Sequence, residues 1–233
     1  MIYVMSDLHG CCDKYLQMLE KIKFNSEDTL YMLGDSIDRG DDGIKLLLDM
    51  MKRPNVVPML GNHEYMAYSV LKKFNVEITA YNYNTHLDSD SIQMYENWMF
   101  NGGITTMSEI SKLDMKQRDA VIEYLGEFEL YEELEVNRKK FVLVHGGLVE
   151  FEEDKDLSEY DIHDIIWGRC DYARQYYKDK YLVTGHTPTY NIDENYRGKI
   201  YRQNNHIAID CGAIFGEALG CICLNTLEEF YIK

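Results

Sequence analysis

The chain has 233 residues, with 40 acidic against 24 basic side chains and a formal net charge of −16. Its 45% hydrophobic and 12% aromatic content supplies a sizeable core and excludes a disordered chain. A field this negative repels phosphate backbones and excludes a general nucleic-acid binder, so any phosphate chemistry needs local cations to reverse it.

In chain order, the first element is the apolar run Ile2-Tyr3-Val4-Met5, which stops at Ser6-Asp7. It is too short for a secretory leader or a membrane span, and no later segment reaches the ~18 apolar residues that a span needs. Four more β-type runs end in polar, glycine-containing turns. Thr29 to Leu33 leads into Gly34-Asp35-Ser36-Ile37-Asp38-Arg39-Gly40, and Val56 to Leu60 into Gly61-Asn62-His63-Glu64. Phe141 to Val144 leads into His145-Gly146-Gly147, and Tyr181 to Val183 into Thr184-Gly185-His186-Thr187. Near-continuous apolar runs of this length suit a sheet covered on both faces.

Between the early runs, Leu16, Leu19 and Ile22 form one helical stripe, and Ile44, Leu47, Leu48 and Met51 a second, with Asp41 and Asp42 before it. The order β-α-β-α-β-α predicts an α/β fold with parallel strands. Residues 71–130 carry no metal-ligand motif; within them 82–91 read as a loop and 116–128 as a helix. This stretch is expected to be a cap-like insertion at the mouth of a site, within one domain spanning 1–233. The tail (Ile207-Ala208-Ile209, Cys221 to Leu224, Phe230 to Ile232) reads as strands without helices, predicting a second, more antiparallel sheet on the C-terminal side.

Other residues have plain readings. The six cysteines form no CxxC pair; Cys221 and Cys223 read as buried, reduced thiols and Cys11 and Cys12 as packing at a helix start, all of which points to the cytoplasm. His86 and His163 read as surface residues, His206 as structural, and Tyr172, Tyr176 and Tyr177 as a packed surface helix.

The turns carry the chemistry. Ligands of open α/β sheets bind at the carboxyl ends of strands, where Asp7, His9, Asp35, Asn62, His145 and His186 all stand. They offer carboxylate, amide and imidazole atoms but no thiolate, which suits manganese, iron or zinc. Six ligands are too many for one catalytic ion with open positions, but they fit two ions sharing a carboxylate.

These motifs resemble the phosphoprotein phosphatase family of metallophosphoesterases, especially its small bacterial and phage members. GDxHG appears as Ser6 to Gly10 with serine in the first place; GDxxDRG is complete at Gly34 to Gly40, and GNHE at Gly61 to Glu64. His145-Gly146-Gly147, Trp167-Gly168-Arg169 and Gly185-His186-Thr187 match the family's HGG, WxR and GHT. Trp98 with Asn101-Gly102-Gly103, and Asp210 to Ala213, resemble further elements of the bacterial members. The resemblance implies an α/β sandwich of two mixed sheets flanked by helices, with a dinuclear metal site at the strand ends. It implies that Asp7, His9 and Asp35 hold one divalent ion, and that Asp35, Asn62, His145 and His186 hold the second, with Mn²⁺ the first choice. Arg39 and Arg169 would grip phosphate oxygens, and His63, oriented by Asp38, would be the general acid.

The expected activity is a serine/threonine protein phosphatase, in which a hydroxide bridging the metals attacks phosphorus in one step. Its partner would be a phosphorylated protein or peptide, with no membrane and no stable nucleic-acid complex; the oligomeric state stays open. The rival is a hydrolase of dinucleoside polyphosphates or nucleotide-capped RNA on the same fold. Its symmetrical members typically have GNHD and lack the acid before the arginine, so Glu64 and Asp38 favour the phosphatase. A non-catalytic phosphate-binding module is the third reading.

Overall fold

The central strands are buried on both faces, and the alternation of side chains between those faces sets the layers. The computed structural model describes residues 1–76 and 88–233. The chain runs β1 (Ile2–Met5), α1 (Cys12–Lys21), β2 (Thr29–Met32), α2 (Gly43–Met50), β3 (Val56–Pro58) and α3 (Asn62–Phe74). Next come α4 (Ser89–Trp98), a π-helical turn at Met99–Gly103, α5 (Ile104–Ile110), α6 (Met115–Leu125), β4 (Tyr131–Val136) and β5 (Lys139–Val144). The remainder is α7 (Ile162–Ile166), β6 (Lys180–Thr184), α8 (Thr189–Ile192), β7 (Tyr201–Gln203), β8 (His206–Ala208), β9 (Leu219–Cys223) and β10 (Glu228–Ile232).

Two five-stranded mixed sheets result, in the orders β10-β9-β1-β2-β3 and β4-β5-β6-β8-β7. Strands β1, β2 and β3 are parallel, as are β5, β6 and β8. Val4, Tyr31, Leu33, Phe141, Leu143, Val183 and Ile222 meet between the sheets. Their neighbours Tyr3, Met5, Leu30 and Met32 face the helices outside the first sheet, and Val142 and Val144 face the layer of residues 148–177 outside the second. The expected C-terminal sheet is corrected. Strands β9 and β10 join the first sheet, antiparallel beside β1, and only β7 and β8 join the second. Leu219, Cys221 and Cys223 then complete the outer core while Ile222 completes the inner one.

Three local readings also change. Leu19 and Ile22 of the expected first stripe are buried, but Leu16 is exposed, and Tyr15 and Met18 fill the buried face of α1 in its place. Tyr176 and Tyr177 are buried in an irregular segment, not a helix, against the second sheet. Residues 82–87 of the expected loop, His86 included, lie outside the described residues, while Ser89 to Ser91 open α4 behind Asp88, whose carboxylate accepts the Ser91 N–H. All six cysteines are unpaired.

His206 is buried in β8, its Nε2 2.9 Å from Thr184 Oγ1 and its ring stacked on Tyr172. Burial pushes its pKa down to about 4. The unfolded chain therefore binds more protons than the folded one between about pH 6.5 and pH 4, and stability falls as pH drops through that window. At pH 5 the contribution is about 2 kcal/mol. Urea unfolding of the native chain and of His206→Gln at pH 7.5 and pH 5 tests this: the native chain should lose about 2 kcal/mol more than the variant, and equal losses would refute the assignment.

Candidate active site

The turns that follow β1 and β2 are tied to each other by backbone bonds. Asp7 N–H donates to Gly34 O at 3.1 Å, His9 N–H to Asp35 O at 2.8 Å and Gly10 N–H to Ser36 O at 2.8 Å. Across the sandwich, Gly185 N–H donates to His145 O at 2.8 Å. Asp7, His9, Asp35, Asp38, Arg39 and His186 all take left-handed backbone conformations, with φ between 42° and 68°. For a non-glycine residue this costs about 1–2 kcal/mol. Gly34 and Gly61 make the closest approach: a Cβ on Gly34 would lie 2.6 Å from both Gly61 Cα and His145 Nδ1. Any larger residue at Gly34 would push the second turn away from the third.

Asp35 stands where the turns meet. Its Oδ2 is 3.6 Å from His9 Nε2, 3.4 Å from His145 Nε2 and 3.9 Å from His63 Nε2, while Oδ1 accepts the His63 N–H at 3.1 Å. Burial alone would raise its pKa, but His145 and His63 outweigh burial and hold the carboxyl well below the usual range. His145 responds in the opposite sense: burial opposes its charge, yet Asp35 beside it lifts the imidazole to about 10. Its Nδ1 donates to Leu33 O at 2.7 Å, and its Nε2 lies 3.2 Å from Asn62 Oδ1. The ring of His186 sits 5.1 Å from that of His145. Burial pushes both His186 and His9 down to about 3, keeping each neutral.

The donor set fits divalent cations. Ligand atoms of His9, Asp35 and His63 lie within 4.8 Å of one another, and so do those of Asp35, His145 and His186, so Asp35 belongs to both groups. Imidazole nitrogens and a carboxylate, with no thiolate, suit borderline to hard ions, whose binding requires the imidazoles to be neutral. Asp7 belongs to neither group: its Oδ2 accepts from Ser6 Oγ and from the His186 N–H at 2.9 Å. His63 takes that place in the first group, although the sequence reading makes it an acid.

His63 Nδ1 is 2.7 Å from Asp38 Oδ2. Trp98 Nε1 donates to the same oxygen at 2.9 Å, and Thr106 Oγ1 donates to Asp38 Oδ1 at 2.6 Å. The Arg39 fork reaches His9 Nε2 at 2.6 Å and His63 Nε2 at 2.9 Å, which requires each ring to carry its proton on Nδ1. His9 Nδ1 correspondingly lies 3.0 Å from Ile37 O. Arg169 donates to Thr187 Oγ1 at 3.1 Å. Asp35, Arg39, Asn62, Arg169 and His186 line one cleft of about 220 Å³, with Tyr190 and Phe215 in its wall.

Sequence reasoning assigned no site role to Trp98, Thr106 or Glu64. Glu64 is fully buried and accepts Asp35 N–H at 2.8 Å, Ser36 N–H at 2.6 Å and Gly61 N–H at 3.2 Å. It binds the second and third turns together as the third residue of α3, reaching back to the helix start. GNHE itself was the available signal. Glu64→Ala would leave three buried donors without partners, at about 1–3 kcal/mol each. We expect a loss of at least about 3 kcal/mol in chemical unfolding, together with weaker Mn²⁺ binding by calorimetry. Unchanged stability would refute this role for Glu64.

Comparison with known proteins agrees with this geometry. The family profile described as calcineurin-like phosphoesterase matches residues 1–202. Serine/threonine-protein phosphatase 2 of Salmonella typhimurium is 28% identical over 178 residues, covering 72% of this chain and 67% of that protein. A symmetrical bis(5'-nucleosyl)-tetraphosphatase of Wigglesworthia glossinidia brevipalpis is 38% identical over 204 residues, covering 83% of this chain and 61% of that protein. The crystal structure of a candidate diadenosine tetraphosphatase superposes with a TM-score of 0.66, covering 99% of this chain and 92% of the other at 15% identity, a likeness of fold alone. The chain belongs to the calcineurin-like phosphoesterases.

Proposed function

We propose that this phosphoesterase hydrolyses phosphoric monoesters, with phosphorylated serine and threonine side chains of proteins or peptides as substrates. The observation that carries this reading is the His63–Asp38 pair. Departure of a serine or threonine alkoxide needs a proton, whereas a nucleotide phosphate leaves from a dinucleoside polyphosphate with far less help. Asp38 is held by Trp98 and Thr106 and in turn fixes the His63 ring, which leaves Nε2 beside Arg39 and Asp35.

In this reading Asp7, His9 and Asp35 hold one ion, and Asp35, Asn62, His145 and His186 hold the other, with manganese first and iron or zinc as alternatives. Bound divalent ions supply a water acidified toward neutral pH and screen the charge on the phosphoryl oxygens. Arg39 and Arg169 orient the phosphoryl group through planar donor forks. Once Arg39 turns to the phosphoryl group and the ring is protonated on both nitrogens, His63 delivers its Nε2 proton to the departing oxygen while Nδ1–H stays bonded to Asp38, which holds the ring's orientation. The likeness to the Salmonella phosphatase supports the substrate class.

The chain is read as one domain over 1–233 with residues 71–130 inserted at the mouth. It would work in the cytoplasm, in keeping with six unpaired cysteines, on a protein or peptide partner and with no stable nucleic-acid complex. Among the described residues no helix is long and apolar enough to cross a membrane. A dinucleoside polyphosphatase is the second reading, favoured by the likeness to the Wigglesworthia enzyme.

Two experiments test the proposal. Assayed side by side with Mn²⁺, a phosphoserine peptide should turn over faster than dinucleoside tetraphosphate; the reverse order would establish the second reading. His63→Asn should lower kcat by about 10²–10⁴ while bound metal, measured by elemental analysis, stays unchanged. Loss of metal in that variant would make His63 a ligand, as its place in the first donor group allows.

A further inference from the structure

Three large exposed apolar side chains stand on two segments that contact Arg39. Phe100 is 93% exposed, Ile104 67% and Phe215 54%. Gly102, between the first two, accepts the Arg39 N–H at 3.0 Å, and a Cβ on it would lie 2.8 Å from Arg39 Cγ. The ring centroid of Phe215 is 5.8 Å from the Arg39 guanidinium carbon, and Phe215 forms part of the cleft wall.

Scattered exposed hydrophobic residues need no explanation. These three are different because Phe215 lies in the cleft wall itself, and Phe100 and Ile104 flank Gly102, whose carbonyl holds the backbone of Arg39, a cleft residue. Trp98 and Thr106, on either side of the Phe100 to Ile104 segment, both bond to Asp38. Phe215 stands on a short turn closed at both ends by left-handed glycines, Gly212 at φ 83° and Gly216 at φ 85°. Such preorganisation lowers the ordering cost of binding a partner. The chain's charge of −16 disfavours acidic segments near its surface, so apolar neighbours of a phosphorylated residue meet complementary surface where acidic neighbours meet repulsion.

We propose that Phe100, Ile104 and Phe215 form an apolar rim that binds hydrophobic side chains flanking the phosphorylated residue of a peptide substrate. The inference rests on the phosphopeptide reading above and narrows it to phosphosites with apolar neighbours. Burying one large apolar side chain against such a rim corresponds to about tenfold in kcat/KM.

The test uses two phosphoserine peptides of equal net charge, one with leucine and phenylalanine beside the phosphoserine and one with serine and glutamine there. Both are assayed with Mn²⁺ on the native chain, on the Phe100→Ser/Ile104→Ser double variant and on Phe215→Ser. The native chain should prefer the apolar peptide by about tenfold or more, mainly through KM, and the ratio between the peptides should fall toward unity in the variants. Equal kcat/KM for both peptides on the native chain, or an unchanged ratio in both variants, would overturn the rim while leaving the phosphopeptide reading intact. Turnover of dinucleoside tetraphosphate with neither peptide cleaved would overturn that reading, and the rim with it.

Discussion

One buried carboxylate organises the molecule. Asp35 belongs to both groups of potential metal ligands, so the two halves of the sandwich meet at its oxygens. Stripping water from a carboxylate is costly unless charge and hydrogen bonds replace it. Here His145 and His63 do so electrostatically, and the His63 N–H bonds Oδ1 directly. The left-handed backbone at Asp35, the close meeting of Gly34 with Gly61 and the triple acceptor Glu64 serve the same end. They fix one side chain against its own preference for solvent.

The packing between the sheets decides whether that arrangement can exist. Paired sheets stand about 10 Å apart when their inner faces interdigitate. Val4, Leu33, Phe141 and Leu143 fill that interval, and at its edge His145, from the end of β5, bonds the carbonyl of Leu33 from the end of β2. A wider core would part that bond and separate His145 from Asp35. The site is therefore a property of core volume as much as of its own polar residues.

The strand-end turns were legible because a ligand just after an apolar run, beside a glycine, has few other uses. The first three strands followed from near-continuous apolar runs and the helices between them from period. Less was visible where distant segments meet: Trp98 and Thr106 reach Asp38 across 60 and 68 residues, a pairing that no local pattern encodes. The C-terminal strands were visible as strands but not as neighbours of β1, because an apolar run buried on both faces does not name its partner. The outward turn of Leu16 was misread for a related reason: a stripe of leucines marks a helix more surely than it marks the buried face.

The contact between residues 98–106 and the Asp38–Arg39 pair has an evolutionary meaning. One short segment braces the carboxylate that steadies His63, holds the backbone of Arg39 and also carries the exposed Phe100 and Ile104 of the proposed rim. Replacing it by another loop would alter what enters the cleft and, in the same step, release the support of the proposed proton donor. New substrate preferences in this chain therefore have to arise by exchange of exposed side chains on a retained backbone, with Trp98, Gly102 and Thr106 as the fixed points.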